Sequence, residues 1–174
     1  MSERRTIFLT EQELELARRI ADVRNAKNGK VPNAKITRKN SDWEIDFSGV
    51  RAEIACCRFF KFPLDQHEDL HGDSGAPDLH FADHRLEVKA ATHWPPILKL
   101  NALIDFKADV IILCHTPMEP KELGNIFMAG AVSRQKFCRD HYVKNFSYGE
   151  RACMNHEDMV TVDEFKELAM KKVF

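Results

Sequence analysis

The sequence predicts an α/β domain: a mixed β-sheet with the hairpin of residues 77–89 near its middle and helices flanking it. Three stretches carry that prediction. Leu79 and Phe81, then Leu86, Val88 and Ala90, alternate with polar residues on either side of a short break, the period of two expected of half-buried strands. Asp109-Val110-Ile111-Ile112-Leu113-Cys114 is an unbroken apolar run of strand length, suited to the buried centre of a sheet. Two Thr-x-x-Glu capping boxes, Thr10 to Glu13 and Thr161 to Glu164, open amphipathic helical patterns near the two ends of the chain.

Taken in order, the first helix is expected over about 11–26, with Leu14, Ala17, Ile20 and Ala21 on its apolar stripe and Asn28-Gly29 as its stop. Trp43-Glu44-Ile45-Asp46-Phe47 alternates apolar and acidic residues. It reads as a short strand ended by Ser48-Gly49, or as a lead-in that anchors the next helix. Val50 to Phe60 is apolar nearly all round and predicts a buried helix. Glu53 is the odd residue in it, because a buried acid needs a partner. A metal-bound water or Lys89 would serve, and a pair with Arg51 or Arg58 at the surface is the plainer alternative.

Residues 77–89 predict a hairpin whose turn Ala82-Asp83 or Asp83-His84 can supply; a turn centred on Ala82-Asp83 pairs Phe81 with His84, His80 with Arg85, Leu79 with Leu86 and Asp78 with Glu87. Asp78, Glu87 and Lys89 then share the face opposite Leu79, Leu86 and Val88. Opposed carboxylates destabilise a strand pair unless something offsets them, and a hard divalent cation does so. Downstream, Ile97 to Phe106 is expected to be helical, with Lys99 and Asn101 as polar positions that could face a cleft. Asn125 to Val132 should be a strand antiparallel to the apolar run, and Ser133 should cap a short helix to Asp140. Asp140 to Asp158 lacks clear periodicity. Its Tyr142, Lys144, Phe146, Tyr148 and Arg151 suit either a nucleic-acid groove or a loop pinned to the core. Trp94 has the shape to stack on a base or to pack its own loop. The last helix is expected over about 162–172.

The order of a Glu-bearing helix, a Pro-Asp strand, a Glu-x-Lys strand and a buried strand resembles the PD-(D/E)XK nuclease superfamily. The matching residues are Glu53, Pro77-Asp78 and Glu87-Val88-Lys89, and the resemblance spans about half the chain, residues 43–133. It implies a restriction-endonuclease-like αβββαβ core and Mg²⁺-dependent hydrolysis of DNA phosphodiester bonds, endonucleolytic rather than exonucleolytic, with Mn²⁺ able to substitute. By the resemblance Asp78, Glu87 and the Val88 carbonyl bind the metal, Glu53 joins them directly or through water, and Lys89 positions or activates the attacking water. The alternative is a DNA-binding or assembly protein on the same fold that does no catalysis. Cutting two strands with one site per chain would favour a homodimer.

With 174 residues the chain has room for one domain and a proper core. A net charge of −1 announces no nucleic-acid partner by itself, but the distribution is uneven. Eight basic residues against one acid lie between Arg18 and Lys39. Arg24, Lys27, Lys30, Lys35, Arg38 and Lys39, together with Arg51, are the candidates to hold DNA phosphates. Five cysteines without framework spacing point to reduced thiols and a cytoplasmic protein, and no apolar run approaches the length of a membrane span. His67 and His71 could clamp Zn²⁺ if helical, although no third ligand has clear spacing.

Overall fold

A computed structural model describes residues 4–28, 42–62 and 78–174. Its core is a five-stranded mixed sheet in the order β1-β6-β5-β3-β2, formed by β1 (Thr6–Phe8), β2 (Leu79–Phe81), β3 (His84–Ala91), β5 (Val110–His115) and β6 (Asn125–Ser133). A second, three-stranded antiparallel sheet runs β4-β8-β7, from β4 (Ile97–Leu100), β7 (Tyr142–Phe146) and β8 (Gly149–Asn155). The helices are α1 (Glu11–Asn28), α2 (Asp42–Phe60), α3 (Arg134–Asp140) and α4 (Val162–Met170).

Alternation along the strands sorts the molecule into layers. Leu79, Leu86, Val110, Ile112 and Cys114 join a core with α1, α2 and α4. Ile111, Leu113, Ala129 and Val132 point the other way, into a second core with Leu98, Leu100, Ala152 and Met154 of the small sheet and Phe137 of α3. The main sheet is therefore covered by helices on one face and largely by a second sheet on the other.

Three of the four expected hairpin pairs form, Phe81 opposite His84, His80 opposite Arg85 and Leu79 opposite Leu86. The fourth, Asp78 with Glu87, does not, because β2 begins only at Leu79 and Asp78 bonds the Val88 N–H through its side chain. β3 runs parallel to β5, and β5 antiparallel to β6. Both capping boxes close. The Thr10 hydroxyl accepts from the Glu13 N–H at 3.3 Å while Glu13 takes the Thr10 N–H at 2.7 Å, and Thr161 and Glu164 repeat the arrangement. Ser133 caps α3 as expected.

Four further expectations are corrected. Trp43 to Phe47 is the first part of α2, not a strand: the helix runs unbroken through Ser48-Gly49, and Trp43 and Phe47, one turn apart, stack at 4.9 Å. Ile97 to Phe106 is a strand followed by a 3-10 turn at Leu103–Asp105. Leu98 and Leu100 alternate into the second core, and the parallel crossover from β3 to β5 passes through β4 with no α-helix. Residues 142–155 are a regular hairpin, not an irregular stretch. Finally, the carboxylate hairpin lies at an edge of the main sheet, where a place near its middle was expected.

Candidate active site

The candidate residues gather at the point where β2 begins. Asp78 stands one residue before β2, so the ladder to β3 would end there. Instead its Oδ2 accepts the Val88 N–H at 2.6 Å. The carboxylate thereby lies at the sheet edge, between the two faces. In a strand the N–H and C=O of one residue point to the same side, so the Val88 carbonyl faces this same edge.

Glu87 and Lys89 share one face of β3, opposite Leu86 and Val88 as expected. They lie beside Ile111 and Leu113 on the face away from α2. Lys89 Nζ pairs with Glu87 Oε1 at 2.5 Å, and both remain partly open to solvent. Glu53 comes from the opposite layer, on a buried turn of α2. Its partner is neither Lys89 nor a neighbour on its own helix. Arg24 of α1 grips both of its oxygens, at 3.0 and 2.9 Å, with the two side chains 16% and 10% exposed. The four predicted residues thus do not share a single face, and Asp78 is the link between them.

Electrostatics support that role. Burial, then the Glu53 carboxylate, push the Asp78 carboxyl up; the Val88 N–H opposes them, Glu87 adds to the rise and Lys89 counters it, leaving the group at about 6. Arg24 is pulled down by burial, yet Glu53, Asp46 and Asp78 together hold it above its ordinary value. Asp46 lies seven residues before Glu53 on the same stripe of α2, its carboxyl is raised by burial, and its Oδ2 is buried without a hydrogen-bond partner among the described residues. Sequence reading missed Asp46 because the strand expected there hid the i, i+7 spacing. It missed the role of Arg24 because nothing local joins residues so far apart in the chain.

Arg51, expected at phosphates, is fully buried. It donates to the carbonyls of Pro117 at 2.8 Å and Leu123 at 2.7 Å and lies over the Phe47 ring, so it braces the segment after β5 and cannot reach DNA. Burial lowers it to about 10. Lys27 falls in the last turn of α1, but its side chain, like Lys30, Lys35, Arg38, Lys39, Pro77, His67 and His71, lies outside the described residues. Trp94 packs against His115, Phe127 and His156 while remaining 62% exposed. All five cysteines are free thiols, Cys56 Sγ and Cys114 Sγ lying 3.8 Å apart in the core.

The donor set suits a hard cation. Carboxylate oxygens and a carbonyl are what Mg²⁺ takes, usually with only one or two protein carboxylates and several waters. Burial first and the Glu53 carboxylate second hold Asp78 protonation-prone, and among the described residues the buried Asp46 Oδ2 has no donor, so a bound cation would relieve both. Among the described residues no three acidic, imidazole or thiol groups are gathered as a ready-made cage. No helix among the described residues is long and apolar enough to cross a membrane. No protein-family model, curated protein or solved structure matches the chain.

Proposed function

We propose that this protein is a divalent-metal-dependent deoxyribonuclease built on a restriction-endonuclease-like core, cutting DNA internally. The observation that carries the reading is Asp78: a carboxylate at the sheet edge, raised to about 6, in the field of Glu53 on one side and of the Glu87–Lys89 pair on the other. Perturbed acids of this kind cluster at functional sites.

In this reading Asp78, Glu87 and the Val88 carbonyl hold Mg²⁺ or Mn²⁺, with Glu53 contributing directly or through water. The ion lowers the pKa of bound water and offsets charge developing on the phosphate. Lys89 has three N–H donors, and Glu87 takes one. The others can orient the attacking water or a phosphate oxygen. Arg24 holds both Glu53 oxygens and aims the carboxylate. Lys27 and the basic residues from Lys30 to Lys39 would hold flanking phosphates.

One observation favours a second reading, a DNA-binding or assembly protein without catalysis: the acids already have internal cations, since Arg24 takes both oxygens of Glu53 and Lys89 pairs with Glu87. Supercoiled plasmid and linear duplex incubated with Mg²⁺ or Mn²⁺ separate the two. Cleavage by wild type, reduced at least about 100-fold in Asp78→Ala and Lys89→Ala, supports the nuclease. Equal nicking by all three proteins would discard it, and retention of DNA without any cleavage would select the binding protein.

A further inference from the structure

We propose that the outward face of the β4-β8-β7 sheet is a binding surface for single-stranded nucleic acid, with Lys99, Lys144 and Arg151 meeting phosphates and Tyr148, backed by Phe146, stacking on a base. The inference is independent of the carboxylate edge and of any cleavage there.

Strand register assembles the surface. Lys99 lies beside Cys153, Cys153 beside Tyr142, and Arg151 beside Lys144, so Lys99, Arg151, Cys153, Tyr142, Lys144 and Phe146 all stand on one face. The opposite face packs into the second core through Leu98, Leu100, Ala152 and Met154, while Val143 of β7, beside Ala152, stays exposed. No acid occupies the outward positions of the three strands. Glu150 belongs to the other set, opposite Asn145.

The three cations are held without being neutralised. Lys99 Nζ and Lys144 Nζ sit over the Phe146 ring at 4.6 and 5.4 Å, and the Arg151 guanidinium lies over Tyr148 at 5.0 Å. No carboxylate among the described residues forms an ion pair with any of them, whereas every arginine in an ion pair elsewhere has spent its charge on an acid. A ring attracts a cation through its quadrupole but leaves the full charge available to a phosphate. The cluster also converges on one point: burial raises the Cys153 thiol, and the same Lys99, Lys144 and Arg151 pull it back.

Phe146 and Tyr148 stack on each other at 5.3 Å and 8°, a rigid pair of parallel rings at the hairpin tip, and Tyr148 is 43% exposed. Flat rings interleaved with unpaired cations are the arrangement that binds single strands, because an unpaired base offers its π-face while a duplex keeps its bases stacked on one another. An anionic membrane would need several apolar side chains reaching outward beside the cations, and besides the rings this face offers only the half-buried Ile97.

The test is fluorescence anisotropy with a labelled oligothymidylate of about 16 nucleotides, in EDTA so that no divalent ion bridges DNA to the carboxylates. Matched duplex DNA and phosphatidylserine vesicles serve as parallel probes. Binding of the single strand in preference to duplex is expected, with a log–log salt slope near about −2 for three phosphate contacts, falling by about 1.4 in Lys144→Gln/Arg151→Gln. Tyr148→Ala should weaken binding about fivefold or more, while Tyr148→Phe, which keeps the ring, should not. Lys171→Gln/Lys172→Gln, at the far end of α4, should bind as wild type does, and so should Asp78→Ala. No single-strand binding by wild type, an unchanged affinity in Lys144→Gln/Arg151→Gln and Tyr148→Ala, or vesicle binding lost in parallel while Tyr148→Ala leaves the oligonucleotide unaffected would each overturn the assignment. Loss of cleavage in Asp78→Ala with this binding intact would show the two properties to be separate.

Discussion

At the β2–β3 edge, acids are crowded and drawn inward; on the outer face of the small sheet, cations stand in solvent against aromatic rings. The acids at the edge, Asp46, Glu53, Asp78 and Glu87, are answered by Arg24 and Lys89, and the answer is incomplete, since Asp78 remains raised to about 6. Among the described residues Lys99, Lys144 and Arg151 have no acid to answer them, and they lean on Phe146 and Tyr148. Desolvation explains the difference. A charge half-withdrawn from water must find a partner or shift its pKa, whereas an exposed one is solvated already and can wait for a ligand. Substitutions at the inner charges should therefore act on folding, and those at the outer ones on binding.

The largest effect is expected at Arg51, the inner cation that pairs with no acid among the described residues. Arg51→Ala leaves the Pro117 and Leu123 carbonyls without a donor and opens a cavity under Phe47. It should cost about 4 kcal/mol in urea unfolding. A cost below about 1 kcal/mol would mean that the segment after β5 does not depend on this brace.

Next comes Arg24→Ala, which strands Glu53 among Asp46 and Asp78. Breaking a largely buried pair by removing one partner costs about 3 kcal/mol. The loss should be greater at pH 8 than at pH 5, where protonation of the raised carboxyls relieves the excess negative charge. An equal loss at both values would show that the acids do not sense one another through Arg24.

Arg24 and Arg51 also mark where the sequence stops being legible. Both lie in or beside the basic stretch that resembles a phosphate-binding surface, and composition cannot tell a buried arginine from an exposed one. The register of Leu79 to Phe81 against His84 to Leu86 was legible, because turn chemistry and a period of two determine it together, whereas the expected Asp78–Glu87 pair did not form, the strand starting one residue later. The caps at Thr10, Ser133 and Thr161 were legible because a cap is a local hydrogen bond. Trp43 to Phe47 was not: over five residues, alternation and i, i+4 spacing use the same two aromatic positions, and only stacking on the helix decides between them. Ile97 to Leu100 failed for a related reason, since its apolar neighbours become a strand only once β8 is present to pair with them. Within the site, the alternation that places Glu87 with Lys89 was readable, whereas the bond from Asp78 to Val88 and the long-range grip of Arg24 on Glu53 were not.

Asp78→Asn should act in the opposite direction, as a stabiliser. The folded carboxyl sits at about 6 against an ordinary 3.8, so the folded state binds the proton more tightly than the unfolded chain does. Folding stability then falls as pH rises from about 4 to about 6 and stays lower above that. Two units correspond to about 3 kcal/mol, and since Asp78 is only half-buried, about 2 kcal/mol is the better expectation. Asn keeps an acceptor for the Val88 N–H without the charge. The variant should therefore exceed wild type by that amount at pH 7, match it below pH 4 and cleave nothing. Stability profiles that run parallel across this range would mean that Asp78 is not held against its charge.

The smallest effect on folding belongs to the other pole of the comparison. Lys144→Gln/Arg151→Gln removes two cations that neither a carboxylate nor the core depends on, and its unfolding free energy should stay within about 0.5 kcal/mol of wild type. The prediction is informative because the side chains are fixed over rings: if their cation–π contacts held the β7–β8 hairpin in place, the double variant would lose more than that, and the hairpin amides would exchange faster with solvent. Unchanged stability with weakened oligonucleotide binding would instead locate the worth of these charges outside the protein. The fully buried Cys153 beneath them offers a direct readout: in the double variant its thiol loses two of the three cations that pull its pKa down, so alkylation at pH 9 should slow if the face keeps its shape.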